Sequence, residues 1–232
     1  MKKIGILGGM SWESTALYYS LINGFVREAL GGLNSAKMLV SSVNFAEVAA
    51  MQKAGEWNEA ADLLRKEAQG LERAGAEGIL IATNTMHKVL PLIEDGVTIP
   101  FIHIADATGA AIKAAGHTKV GFMGTKFAME ESFYTDILEQ RYNLEMVIPD
   151  LKQRDVIHRV IFEELCQGKI LESSRQHYLD IIDQMAEGGA QCVIEGCTEI
   201  TLLVKQEHTN MPLFDTTRLH ARAAADFILE TS

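Results

Sequence analysis

A chain of 232 residues, 47% hydrophobic and 22% charged, has the balance of an ordinary globular protein and is long enough to bury one large core or two small ones. Its formal net charge of −10 argues against nucleic acid or an anionic membrane as partner, because both demand a basic surface. Cys166, Cys192 and Cys197 are odd in number and lack CxxC spacing, so they read as thiols of a reducing compartment rather than as a disulfide framework or a zinc site.

Lys2-Lys3 and Ile4-Gly5-Ile6-Leu7 could open a signal peptide, but Gly8-Gly9 ends the apolar run too early for an h-region. No run approaches the ~18 apolar residues of a membrane span. The expectation is a soluble, cytoplasmic protein.

Lys3–Leu7 followed by Gly8-Gly9 predicts a buried strand ending in a tight turn. Leu17, Leu21, Ile22 and Phe25 have helical spacing within 14–30, and Gly31-Gly32 stops that helix. A strand is predicted over 38–43 and an amphipathic helix over 58–75, with Ala61, Leu64, Ala68 and Leu71 on one face. A strand over 78–82, a helix over 85–92, a strand over 99–104 and a helix over 105–115 follow. The pattern then restarts: strand 119–123, helix 130–141, strand 144–148, helices 155–167 and 173–187, strands 191–195 and 211–214, and helix 217–229. Strands alternating with helices at this spacing predict an α/β fold with parallel sheets covered on both faces.

The restart is an internal repeat. Ile4-Gly5-Ile6-Leu7-Gly8 sits over Val120-Gly121-Phe122-Met123-Gly124, and at the same offset Leu17-Tyr18 sits over Phe133-Tyr134. Glu77 to Thr85 matches Gln191 to Glu199 without a gap, each after a Gly-Ala pair, and Pro100-Phe101 matches Pro212-Leu213. Thr83 in one half therefore occupies the place of Cys197 in the other. Two such halves predict matched strand ends across a cleft, where ligands of open α/β sheets bind.

Cys192 and Cys166 read as small buried hydrophobes. Cys197 differs, because Gly196, Thr198 and Glu199 surround it with a turn, a hydroxyl and a carboxylate. A helix opening after it would lower the thiol pKa below ~8.5. Gly8-Gly9-Met10-Ser11 lacks both the G-x-G-x-x-G pattern and the P-loop Lys, yet a Gly-rich turn still offers N–H donors to a carboxylate, as does Gly124-Thr125. Asn84-Thr85 and Thr198-Glu199 add side-chain donors and acceptors, with helix capping as the alternative for each taken singly. Together they suggest a small acidic or zwitterionic ligand. His87 and His103 lie near the predicted strand ends, either to orient a reacting group or to satisfy local hydrogen bonds. No histidine pair has metal-ligand spacing on one helix, and no metal is expected.

Ile4 to Thr15, Thr83-Asn84-Thr85-Met86-His87 and Glu195-Gly196-Cys197-Thr198-Glu199 resemble the three signature segments of the aspartate/glutamate racemase family, over essentially the whole chain. The resemblance implies two similar α/β domains that exchange their final strand and helix: residues 1–100 with 211–232, and residues 101–210, with the active site in the cleft between them. It also implies a racemase of aspartate or glutamate that uses no PLP or other cofactor and works as a homodimer. Two cysteines on opposite faces of the substrate serve this chemistry, since a planar carbanionic intermediate loses its configuration only if both faces have a proton donor. Here the first of the pair is Thr83, a poor base, and the second is Cys197. The resemblance assigns the L-enantiomer's face to Cys197, so L-substrates should be favoured. It further implies ligand contacts or support from Met10, Gln52, Asn84, Thr85, Thr125, Thr198 and Glu199. Relatives use an Arg and a Lys that have no secure counterpart here; Cys166 stands near the Lys position. A one-cysteine malonate-type decarboxylase and a non-catalytic amino-acid-binding protein are the rival readings.

Overall fold

The computed structural model describes residues 1–230. In chain order the strands are β1 (Lys3–Gly8), β2 (Lys37–Ser42), β3 (Gly78–Ile81), β4 (Phe101–Ile102), β5 (Lys119–Gly124), β6 (Glu145–Val147), β7 (Cys192–Gly196) and β8 (Leu213–Asp215). The helices are α1 (Trp12–Leu30), α2 (Phe45–Ala54), α3 (Trp57–Arg73), α4 (Leu90–Ile93), α5 (Ile104–Ala114) and α6 (Lys126–Glu130). They continue with α7 (Ser132–Tyr142), α8 (Leu151–Glu163), α9 (Glu172–Glu187), α10 (Ile200–Leu203) and α11 (Thr216–Leu229).

Two four-stranded parallel sheets result, with orders β2-β1-β3-β4 and β6-β5-β7-β8. The same permutation in both is what a duplicated βαβ unit produces, and it matches the sequence repeat strand for strand. The chain divides into Met1–Ile104 with His220–Ser232, and Ala105–Leu219.

In the first unit each face of the sheet is covered. Ala60, Ala61, Leu64, Ala68 and Leu71 of α3 pack with Leu7, Ile79 and Ile81 in one core cluster. Tyr18, Ile22 and Val26 of α1 and Ala221, Ala224, Ala225 and Ile228 of α11 pack with Ile4, Ile6 and Leu80 in the other. The apolar stripe of α3 is the helical period read from the sequence, now buried. Gly78 admits Phe227 of α11 closely, since a Cβ there would lie 2.6 Å from the ring. In the second unit Phe122 of β5 stacks on Tyr134 of α7 with centroids 4.9 Å apart, and the Tyr134 hydroxyl donates to Thr108 Oγ1 at 3.1 Å.

Several elements differ from expectation. Residues 45–54 form α2, capped by the Asn44 side chain, which accepts from the Ala46 N–H. The expected helix over 85–92 is a 3₁₀ turn, Thr85–Val89, followed by α4. The one expected over 130–141 breaks at Glu131, whose extended backbone separates α6 from α7. The helix expected from 155 begins at Leu151, because Asp150 and Gln153 form a reciprocal capping box, each accepting from the other's backbone N–H at 2.9 Å.

The unit boundaries also shift. Leu213 and Phe214 pair with Val193 and Ile194, so the strand expected with residues 1–100 belongs to the second sheet. Phe101 and Ile102 pair with Ile79 and Leu80, so they belong to the first. In each half the fourth strand lies beside the third, a short-range pairing that an exchange of the last strand would break. The helical segment from His220 onward does group with the first unit. Among the described residues no helix is long and apolar enough to cross a membrane.

Candidate active site

The matched loops after β1 and β3 in the first unit, and after β5 and β7 in the second, hold most of the candidate residues. After β1, Gly9 has φ +88°, and a Cβ would meet the Val43 carbonyl at 2.2 Å. Its N–H donates to Thr15 Oγ1 at 2.8 Å, so this donor, expected to face a ligand, is used to fasten the turn to α1. Ser11 caps α1 by accepting from the Ser14 N–H at 3.2 Å. Met10 is buried in the turn.

After β3, Thr83 is half-buried. Its carbonyl accepts the Nδ1–H of His87 at 2.9 Å, and His87 Nε2 accepts the Ile104 N–H at 3.4 Å. These partners fix one neutral tautomer. Burial first, then His103 and His220, hold His87 well below the ordinary histidine range. Of the two roles read for His87, the structure gives it the local one: it anchors the backbone of Thr83. His103 packs on it with ring centroids 4.6 Å apart. His220 accepts from the Tyr18 hydroxyl at 2.9 Å and donates from Nε2 to the Ile102 carbonyl at 2.7 Å. Burial depresses its pKa to about 4.

Asn84 and Thr85 are buried at the start of the 3₁₀ turn, and the Asn84 carbonyl accepts the His87 N–H at 3.1 Å. Gln52 is buried on α2, where its Nε2 donates to the Met86 sulfur at 3.1 Å, a weak acceptor. Gln52 thus touches the turn that follows Thr83.

After β5, Thr125 caps α6, its Oγ1 accepting the Ala128 N–H at 3.3 Å. After β7 the chain makes a crowded turn. A Cβ on Gly196 would lie 2.2 Å from the Phe122 ring, so glycine is required where the strand ends. Cys197 is half-buried, its thiol donating to Glu199 Oε2 at 2.9 Å and its carbonyl accepting the Ile200 N–H at 3.1 Å. Thr198 Oγ1 lies 3.2 Å from Thr217 Oγ1 of α11, and the Thr198 carbonyl accepts the Thr201 hydroxyl at 2.8 Å. Six of the expected residues therefore fall in two short segments, 83–85 and 197–199, with Thr125 at the head of α6 in the second unit.

The expectation of a low thiol pKa at Cys197 is overturned. Burial, then the Glu199 carboxylate by its charge and its hydrogen bond, then Cys166 push the thiol well above its ordinary value. The following helix, α10, is only four residues long, and the acid beside the sulfur outweighs its N-terminal dipole. At neutral pH the pair is a thiol donating to a carboxylate. Such a pair moves protons without forming an isolated thiolate: the sulfur accepts one as Glu199 takes the other. Burial raises Cys192 to about 12, in keeping with a small hydrophobe, whereas Cys166 is exposed on a short turn, contrary to the buried reading. No role is read from the sequence for two carboxyls of this unit, the buried Glu195 and the half-buried Asp215. The available signal was an acid inside the apolar run 192–196.

A thiol–carboxylate pair after β7 and a hydroxyl at the matching position after β3, on two repeated α/β units, define a class. The family model for Asp/Glu/hydantoin racemases matches residues 7–224, and the chain belongs to that family. A structure of a candidate Asp/Glu racemase from Yersinia pestis is 48% identical, covering 99% of this chain and 100% of its own, with a TM-score of 0.94. An aspartate racemase homologue from Pyrococcus horikoshii OT3 is 35% identical over 99% and 100% of the two chains, with a TM-score of 0.86. The broad-specificity amino-acid racemase RacX of Bacillus subtilis is 21% identical over 231 residues, 97% of this chain and 98% of its own.

Proposed function

We propose that the protein is a cofactor-independent racemase of aspartate or glutamate with one strong and one weak catalytic face. The observation that carries the reading is the Cys197 thiol donating to Glu199 at 2.9 Å, set against Thr83 at the matching place of the repeat. Cys197 takes the α-proton of the L-enantiomer while its own thiol proton passes to Glu199. The resulting planar carbanion is then reprotonated on the other face by Thr83 or by a water it holds. A threonine hydroxyl can return a proton to a carbanion but is far too weak a base to remove one from an amino acid. Met10, Gln52, Asn84, Thr85, Thr125 and Thr198 contribute ligand contacts or support the turns that do, in a cytoplasmic homodimer.

The consequence is kinetic. The Haldane relation ties the ratio of kcat/KM values for the two enantiomers to an equilibrium constant near one, so asymmetry appears in turnover under given conditions and not in the end point. Incubation of each enantiomer of Asp and Glu in D₂O tests this: α-deuteration is expected from the L-forms and hardly at all from the D-forms, and equal exchange from both would refute it. A second reading draws on the same neutral thiol. A protonated Cys197 without a second thiol suits a one-sided proton donor, as in a malonate-type decarboxylase. Release of CO₂ from a substituted malonate, without exchange on amino acids, would favour it.

A further inference from the structure

Glu195 has no part in the chemistry above, yet it stands two residues before Cys197 on β7 and is only 5% exposed. Its register partner on β5 is Met123, which is uncharged, and on β8 it is Asp215. Partners in a parallel ladder point to the same face, so the two carboxyls are neighbours. Asp215 is provided for: its Oδ1 accepts the N–H groups of Thr217 at 2.8 Å and Arg218 at 3.0 Å, at the head of α11. Glu195 is not. Its backbone carbonyl accepts the Thr216 hydroxyl at 2.9 Å, but its Oε1 is buried without a hydrogen-bond partner.

An ionised carboxylate in that position would be desolvated, short of donors and beside a second carboxylate, and keeping its proton removes all three penalties. Burial and then Asp215 push Glu195 up to about 8. Burial also raises Asp215, but the Arg218 and Thr217 N–H groups and the Arg218 charge counter it, so Asp215 is the member of the pair that ionises first.

We propose that Glu195 is a positioning residue for Cys197 that works only as the neutral acid, and that ionising it against the Asp215 carboxylate shuts the reaction down on the alkaline side. This rests on the reading of Cys197 as the proton-exchanging group. A charged Glu195 relieves its repulsion by parting β7 from β8 or by drawing in water. Either movement displaces the Gly196–Cys197 turn and the Thr198–Thr217 contact that ties this turn to α11.

The test is the pH profile of α-deuteration from L-Asp and L-Glu for the unaltered chain, Glu195→Gln and Asp215→Asn, alongside infrared titration of the protonated carboxyl. The unaltered chain should lose about tenfold in rate per pH unit above its alkaline limb, as a single ionisation requires. E195Q, whatever its plateau rate, should hold that rate through the same range and lack one carboxylic-acid band. D215N keeps a side chain that can cap α11 but removes the charge that repels an ionised Glu195, so its alkaline limb should weaken. An unchanged limb in both variants, or no buried acid band at neutral pH, overturns the proposal while leaving the racemase reading intact. Failure of exchange from every substrate would sink the racemase reading and this role of Glu195 with it, even if the infrared band titrates.

Discussion

Replacing Glu199 with Gln tests the thiol–carboxylate pair directly. The carboxylate accepts the Cys197 S–H at 2.9 Å and repels the thiolate, so both effects hold the sulfur neutral. A hydrogen bond to a charged acceptor is worth about 1.5–3 kcal/mol, and each 1.4 kcal/mol is a factor of ten. Cys197 is only half-buried, so solvent screening favours the lower end. Glu199→Gln keeps the size and one acceptor but removes the charge, and the thiolate fraction at fixed pH should rise about tenfold. The assay is the rate of iodoacetamide alkylation against pH, in a Cys166→Ser background because Cys166 is exposed. The same variant should exchange the α-proton of L-substrate more slowly, since the sulfur has lost the group that takes its proton. An alkylation rate that stays level or falls would mean that Glu199 does not hold the thiol neutral.

Thr83→Cys should raise α-deuteration of D-substrate, and a flat D-rate would remove Thr83 from the reaction; Cys197→Ala should abolish exchange from either enantiomer. Gly196→Ala forces a methyl into the Phe122 ring and should cost about 1–3 kcal/mol by denaturant unfolding, together with a loss of exchange. His220 is neutral in the fold, with its pKa lowered to about 4, so the stability it contributes is complete above about 6.5 and is lost as pH falls toward 4. That window corresponds to about 3 kcal/mol, which urea titrations of the unaltered chain and His220→Gln should expose as a flatter acid limb in the variant.

Periodicity was enough to read the alternating elements, because buried parallel strands and amphipathic helices such as 57–73 carry their packing in the spacing of apolar residues. The repeat was legible for a related reason: a duplicated unit retains the same glycine where the same strand ends, as at Gly8 and Gly124. Short segments were harder. Helix α2 carries little pattern because its apolar residues are mostly small or only partly buried, and the breaks at Glu131 and around Val89 depend on backbone geometry rather than on pattern. Which strand β4 and β8 pair with is set by tertiary packing, which no local signal contains.

The site divides in the same way. Cys197, Glu199 and Thr83 could be named from the chain alone, since residue type and position in a repeat are properties of sequence. Their protonation states could not, because a pKa is set by what surrounds a group in space. Burial and one carboxylate turned the expected reactive thiolate into a neutral thiol. A Gly9 N–H offered to a ligand became the anchor of its own turn, and His87 became a neutral strut for Thr83. Folding likewise turned Glu195, an acid with no role of its own in the sequence pattern, into a buried carboxyl beside Asp215, because only the register of β7 and β8 brings the two together.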